Sequence, residues 1–328
     1  YNVLNDDIRD LLHAVSISDQ KRAKSIAKVI CAKEMAKPGN EANKRLCKSV
    51  VDNINNRPQW MELPAKAKQL LIAEDVENTF DDRLYYFAED ELALEQRILS
   101  MANTCQELNS VGIRYRNATL LLGSSGCGKS VFARHMAKKL GRAFYMVDLS
   151  QILDSYMGGS AKNLRSIFDA ISEIGPNGFV FLDELDAFSR SRDMTDSSAA
   201  GQELGRMSVT LMQLLDCMPS ETVLMAATNH PETIDPAVLR RFSVKHEVKV
   251  FGTEEKTKML QKYLTAIREN AEGIFEFSWS EAELKAFVEA NQTLSNSELI
   301  TNIQQALADM LQSGGTVLRV WSAQIEQQ

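Results

Sequence analysis

The chain has 328 residues, 44% of them hydrophobic, and a formal net charge of −7, enough apolar material for two or three modest domain cores. The negative balance argues against sequence-independent nucleic-acid binding. No run reaches the ~18–20 apolar residues of a membrane span, and Tyr1 to Asp7 lack the basic-then-apolar layout of a signal peptide, so a cytoplasmic protein without a membrane partner is expected. Five cysteines without C-x-x-C spacing and four histidines without a helix-borne pair point to neither a disulfide framework nor a zinc site.

Residues 3–52 carry apolar positions at three- and four-residue spacing: Ile8, Leu11, Leu12 and Val15, then Ile26, Val29 and Ile30, then Leu46, Val50 and Ile54. The breaks at Ser16 to Asp19 and Lys37-Pro38-Gly39-Asn40 divide them into a small helical N-terminal domain, 1–54. Nine Lys or Arg face two Glu between Lys21 and Lys48, a pattern usual for a solvated helix face and able to meet an acidic partner. Residues 55–77, with two prolines and polar residues around Trp60, read as a linker.

From Val76 to Ser110 the periodicity is helical again. Then short, nearly continuous apolar runs at 118–122, 143–147, 178–182, 223–227 and 247–250 alternate with amphipathic stretches, the signature of a parallel sheet covered on both faces. Beyond Gly252 the runs stop. Residues 254–268, 280–290 and 297–311 read as helices, so the fold class is α/β, with an α/β domain over 78–251 and an all-α lid over 252–328.

Between the first apolar run and the next helix lies Gly123-Ser124-Ser125-Gly126-Cys127-Gly128-Lys129-Ser130. Strand, glycine-rich turn and helix in this order form a phosphate cradle: backbone N–H groups turn inward and the helix aims its positive end at the same anion. In such a loop Lys129 reaches the β- and γ-phosphates of ATP, and Ser130 holds Mg²⁺. The run Phe179-Val180-Phe181-Leu182 ends in Asp183-Glu184, which puts Asp183 near the metal and leaves Glu184 to polarise an attacking water. The next run ends at Thr228-Asn229, where a parallel sheet presents its ligand-facing edge, and Asn229 is placed to orient that water.

These motifs, followed by Asp235-Pro236-Ala237-Val238-Leu239-Arg240-Arg241-Phe242, resemble the AAA ATPases over about 78–310. Within them the chain is similar to the subgroup of spastin, katanin and the endosomal-sorting ATPase, and to related stand-alone bacterial proteins. The resemblance implies a P-loop AAA module with an all-α lid, assembled into a ring, usually a hexamer, with ATP between neighbours. Arg240 and Arg241 match the paired arginine fingers that reach the adjacent subunit's γ-phosphate, a role suited to a permanently charged planar donor. Tyr156-Met157-Gly158 is similar to the loop that lines the ring's pore and grips extended polypeptide through apolar contact. A protein substrate or adaptor chosen by the helical N-terminal domain follows from the same resemblance, as does room for a partner protease. Two alternatives share the fold: a DNA-linked loader or transposition helper, disfavoured by the acidic balance, and a nucleotide-gated assembly switch that unfolds nothing.

The sequence departs from the family in four places, one of them Cys127, where threonine is common. Ser124-Ser125 stands where Pro-Pro is usual, and Asp216-Cys217 replaces an Asp-Gly pair that relays between subunits. In the lid, Ser295-Asn296-Ser297-Glu298-Leu299 replaces Ser-Gly-Ala-Asp-Leu, so larger side chains occupy the positions that pack against base and ribose.

Overall fold

The computed structural model describes residues 6–16, 20–37, 41–56, 71–113, 115–154, 160–174, 178–188, 199–219 and 221–320. Two units follow one another along the chain, Tyr1–Gln59 and Trp60–Gln328. The first is a set of helices, α1 (Asp6–Ser16), α2 (Gln20–Met35) and α3 (Glu41–Asn56). Cys31 of α2 and Cys47 of α3 are buried within this unit, while Leu12, Val15 and Leu46 are exposed.

The second unit contains β1 (Ile72–Glu74), α4 (Val76–Thr79), α5 (Glu89–Ser110), β2 (Ala118–Leu122), α6 (Lys129–Lys139), β3 (Ala143–Asp148), α7 (Leu149–Asp154), α8 (Ser160–Ile174), β4 (Gly178–Asp183), α9 (Ala199–Cys217), β5 (Val223–Thr228), α10 (Pro236–Leu239) and β6 (Val244–Glu247). Three further helices close it, α11 (Thr253–Asn270), α12 (Glu281–Ala290) and α13 (Asn296–Gln312). The sheet runs β1-β3-β4-β5-β2-β6, parallel except for the antiparallel β1 at its edge. Among the described residues, no helix is long and apolar enough to cross a membrane.

Side chains alternate across the central strands with the period of two that a pleated strand imposes. Phe179 and Phe181 of β4 join Phe144, Met225 and, from α6, Phe132 and Met136 in one core layer. Val180 and Leu182 join Leu164, Ile167 and Ile171 of α8 and Leu211 of α9 in the other. Each such buried side chain contributes about 1.5–3 kcal/mol, so a sheet covered on both faces fixes its register firmly, and with it the positions of the strand ends. The lid has its own core, in which Leu260 and Leu264 of α11, Leu284 and Val288 of α12, and Leu299 and Ile303 of α13 are buried together with Ala88 and Phe251.

Two edges differ from what apolar runs suggest. Residues 72–74, which composition assigns to the linker, form β1, while α4 begins at Val76, where the helical periodicity resumes. The last strand is Val244–Glu247, not 247–250: Val244 is buried but Lys245 and Glu247 are exposed, so this edge strand alternates and a search for continuous apolar runs passes over it. Only the Val248 N–H, which donates to the Leu122 carbonyl at 2.8 Å, continues the pairing.

Candidate functional site

The register brings three motifs to one edge of the sheet. Leu122 pairs with Thr228 and Leu182 with Ala226, so the carboxyl ends of β2, β4 and β5 deliver Gly123, Asp183 and Asn229 side by side. Gly123 must be glycine: a Cβ there would lie 2.3 Å from the Val248 carbonyl oxygen. Gly126 has φ +75°, and a Cβ there would lie 2.4 Å from Ser297 Oγ at the start of α13. The loop is thus pressed against the lid as well as the sheet. Gly128 caps α6, whose first residue is Lys129.

Lys129 is buried, and its ammonium donates to the Gly123 carbonyl at 2.7 Å, the Ser124 carbonyl at 2.8 Å and Asn229 Oδ1 at 2.8 Å. All three donors are used on neutral oxygens, and no carboxylate forms an ion pair with it among the described residues. A buried cation solvated only by dipoles favours an anion within reach. The N-terminus of α6 adds its dipole at the same place.

Ser130 Oγ donates to Asp183 Oδ2 at 3.2 Å. Burial raises the Asp183 carboxyl above its ordinary range, against the lowering effects of the Glu184 N–H, the Ser130 hydroxyl and nearby Lys129. A divalent cation between Ser130 and Asp183 would offset that desolvation. Among the described residues no three His, Cys, Asp or Glu side chains converge on a metal position, so these two protein ligands suit Mg²⁺, which keeps water and phosphate oxygens in its remaining positions.

Glu184 has φ 52°, the left-handed region, and no other described residue apart from glycines shares a positive φ. Such backbone costs of order 1–3 kcal/mol; here it turns the second carboxylate toward the cavity, which Glu184 and Asn229 both line. The buried Asp186 fixes the β5 end by accepting from Thr228 Oγ1 at 3.0 Å and the Asn229 N–H at 3.2 Å. It escaped a role in the sequence reading because its partner lies on a different strand.

A cavity of about 560 Å³ runs from Gly126–Ser130 to an aromatic and aliphatic end made by Tyr86, Phe87, Phe251, Met259, Tyr263 and Ile300, a size and polarity suited to a nucleoside triphosphate. Asn296, in place of the small residue expected from the resemblance, is a latch. Its Nδ2 donates to the Cys127 carbonyl at 3.0 Å, and its Oδ1 accepts from the Phe251 N–H at 3.1 Å. The larger lid residue therefore ties α13 to the phosphate loop, reinforced by the Ser297 N–H donating to the Gly126 carbonyl at 3.1 Å.

Arg240 and Arg241 do not join this cavity. Arg240 is exposed and makes no ion pair among the described residues. Arg241 is held within its own chain, donating to the Ala237 carbonyl at 2.5 Å and to Asp216 Oδ2 at 2.8 Å; Arg116 pairs with Asp216 Oδ1 at 3.4 Å. The Asp216 that sequence comparison places in an inter-subunit relay is thus a strut for the second arginine. Tyr156, Met157 and Gly158 lie outside the described residues.

Residues 119–250 match the ATPase family associated with various cellular activities (AAA). An ATP-dependent zinc metalloprotease, FtsH, of Pelobacter propionicus is 32% identical over 206 residues, covering 56% of this chain and 32% of that protein. An AAA family ATPase, y4kL, of Sinorhizobium fredii is 32% identical over 55% of this chain and 52% of its own length. A probable 26S proteasome regulatory subunit 10B of Caenorhabditis elegans is 34% identical over 51% of this chain and 41% of its own length. The chain thus spans about half or less of these relatives. With the matched pattern lying on a six-stranded sheet whose strand ends carry the phosphate loop, the Asp183-Glu184 pair and Asn229, the segment 119–250 is an AAA ATPase domain.

Proposed function

We propose that the chain binds ATP with Mg²⁺ and hydrolyses it at the interfaces of a homo-oligomeric ring, a hexamer by family resemblance, and that the cycle pulls on a protein substrate. The observation that carries the nucleotide reading is the buried Lys129 ammonium, held by three neutral oxygens beside Ser130 and Asp183. In this reading the backbone from Gly123 through Ser124, Ser125, Gly126, Cys127 and Gly128 cradles the phosphates and Lys129 neutralises them. Ser130 and Asp183 would hold Mg²⁺. Bound Mg²⁺ supplies charge neutralisation between phosphate oxygens; Glu184 accepts the proton of an attacking water, and Asn229 orients it.

Exposed Arg240 is the group free to reach a neighbour, which supports a site completed in trans. The pore grip at Tyr156, Met157 and Gly158, the selection of a protein or adaptor by the helical unit, and the division into 1–54, 55–77, 78–251 and 252–328 belong to the same proposal. Relatives named as a metalloprotease and a proteasome subunit favour a protein substrate over DNA and leave a place for a partner protease.

The test uses two variants and their mixture. Glu184→Gln should bind labelled ATP normally and lose turnover, since the amide cannot take a proton. Lys129→Ala mixed with Arg240→Ala should recover part of the activity that each lacks alone, because each damages a different half of an interface; an arginine finger can supply ~10³–10⁵ in rate. Full turnover by Glu184→Gln, or full activity of a protein that light scattering shows to be monomeric with ATP, would overturn it.

A further inference from the structure

Glu91, on the first turn of α5, is buried to 4% exposure yet lines the nucleotide cavity. Its surroundings place it at the base end. Its Oε2 accepts from the Ala88 N–H at 2.8 Å, Ala88 lies in the lid core with Phe251, and Glu255 comes close from α11, the helix that carries Met259 and Tyr263. The second carboxyl oxygen, Oε1, has no hydrogen-bond partner among the described residues. A carboxyl this deep, with one oxygen uncommitted and a cavity beside it, is more than a helix cap requires.

We propose that Glu91 is the base-reading residue of this cavity, donating a hydrogen bond from Oε1 to a ring nitrogen of adenine while Oε2 stays on its own helix cap. The inference rests on the nucleotide reading above and adds to it the source of base selectivity. Burial, aided by the like charges of Asp90 on the same helix and Glu255 on α11, raises the carboxyl to about 7 despite the Ala88 N–H, so the protonated form is well populated near neutrality. The Ala88 N–H favours Oε2 as the acceptor oxygen, which leaves the proton on Oε1.

Adenine carries its N6 amine donor between acceptor nitrogens N1 and N7, so either edge offers an acceptor beside a donor. Guanine carries O6 there, flanked by the N1–H donor and the N7 acceptor. A donor fixed at Oε1 beside an acceptor at Oε2 fits adenine and mismatches guanine. Polar groups placed in this way discriminate because the wrong base leaves them unpaired. The remaining titratable groups that line the cavity (Cys127, Lys129, Asp183, Glu184 and the Tyr85, Tyr86 and Tyr263 hydroxyls) come from the phosphate end and the aromatic walls, and all are retained in a Glu91 variant.

The experiment titrates the full chain with fluorescent, non-hydrolysable adenosine and guanosine triphosphate analogues from pH 6 to pH 8. If ATP requires the protonated carboxyl, the adenine-over-guanine affinity ratio falls about tenfold across that range, following the loss of the neutral form around a value near 7; ionisation of the triphosphate is common to both ligands and cancels. Glu91→Gln keeps an acceptor for the Ala88 N–H and puts an NH₂ donor at the Oε1 position, so it should retain the adenine preference and make the ratio independent of pH. Glu91→Ala should lose the preference at every pH, with folding checked by thermal melting. Parallel pH curves for the two nucleotides in the wild type, or an unchanged slope in Glu91→Gln, would overturn the base-reading role while leaving nucleotide binding intact. Failure of the wild type to bind either analogue would overturn both readings.

Discussion

At the phosphate end of the cavity the contacts come from one strand-loop-helix unit and the carboxyl ends of β4 and β5. At the other end the walls come from widely separated segments, Tyr86 and Glu91 between β1 and β2 and Phe251, Met259 and Asn296 after β6. The first is rigid because its backbone is an extension of a sheet buried on both faces. The second is a junction, closed by the Asn296 side chain and by surface contacts between residues 81–83 and α11. A phosphate anion should therefore meet a preformed cradle, while the base and ribose meet a pocket whose completeness depends on the lid.

The largest expected effect breaks the preformed end. Lys129→Ala removes a buried cation whose present partners are all neutral, so the fold loses little and the anion loses its counter-charge. Two charge-assisted hydrogen bonds to phosphate, at ~1.5–3 kcal/mol each, correspond to roughly 10²- to 10⁴-fold in affinity. Inorganic triphosphate and ATP should weaken alike when titrated by calorimetry. A variant that still discriminated ATP from buffer at wild-type affinity would show that the cradle does not depend on its lysine.

The difference between the two ends explains what the sequence makes legible. Gly123 to Ser130, Asp183, Glu184 and Asn229 are readable because each follows directly on an apolar run, and parallel pairing then forces the run ends together. The strand at Val244–Glu247 is poorly marked in the sequence because it lies at the sheet edge and alternates. Asn296 stands out in the sequence only as a departure from the family pattern, since nothing local tells that its amide spans Cys127 and Phe251. Glu91 and Asp186 give no linear signal of their surroundings either: a glutamate on a first helical turn is an ordinary cap, and an aspartate after a strand an ordinary turn residue. The second arginine carried the opposite lesson, for Arg240 and Arg241 are neighbours in sequence with different fates, one exposed and one tied to Asp216.

A middle-sized effect sharpens the comparison from the lid. Asn296→Ala removes both bonds of the latch, each worth about 0.5–1.5 kcal/mol net, and leaves the buried Cys127 carbonyl and Phe251 N–H to find water. Affinity for ATP should drop by about tenfold, with faster release of a fluorescent ADP in stopped flow, whereas inorganic triphosphate, which does not span the cavity, should bind nearly as before. Equal losses for both ligands would mean that the latch shapes the phosphate loop itself and that the two ends are not independent.

The smallest effect concerns the surface pin of the junction. Asp81 accepts from Arg83 Nε at 3.0 Å and Nη2 at 2.9 Å, and Arg83 Nη2 also reaches Asn270 Oδ1 of α11 at 2.6 Å. Hydrogen bonding from Arg83 is the main cause that lowers the Asp81 carboxyl to about 2, with the backbone N–H of Arg83 and the Asn270 amide adding to it against some desolvation. A carboxyl whose folded value is depressed stabilises the fold above its unfolded value of ~3.9 and loses that contribution as pH falls toward 2. Because the partner guanidinium is more than half exposed, screening by solvent reduces the effect to ~1 kcal/mol or less, about 2–4 °C in melting temperature at this size. Asp81→Asn should therefore melt slightly lower than the wild type from pH 7 to pH 5, and the gap should narrow between pH 4 and pH 2. At pH 7 its affinity for inorganic triphosphate should be unchanged and its affinity for adenosine nucleotides marginally weaker, since only the junction is loosened. A gap that failed to narrow on acidification would mean that the ionised Asp81 carboxylate does not hold the junction, and the base end would then have to be regarded as closed by Asn296 and its own core alone.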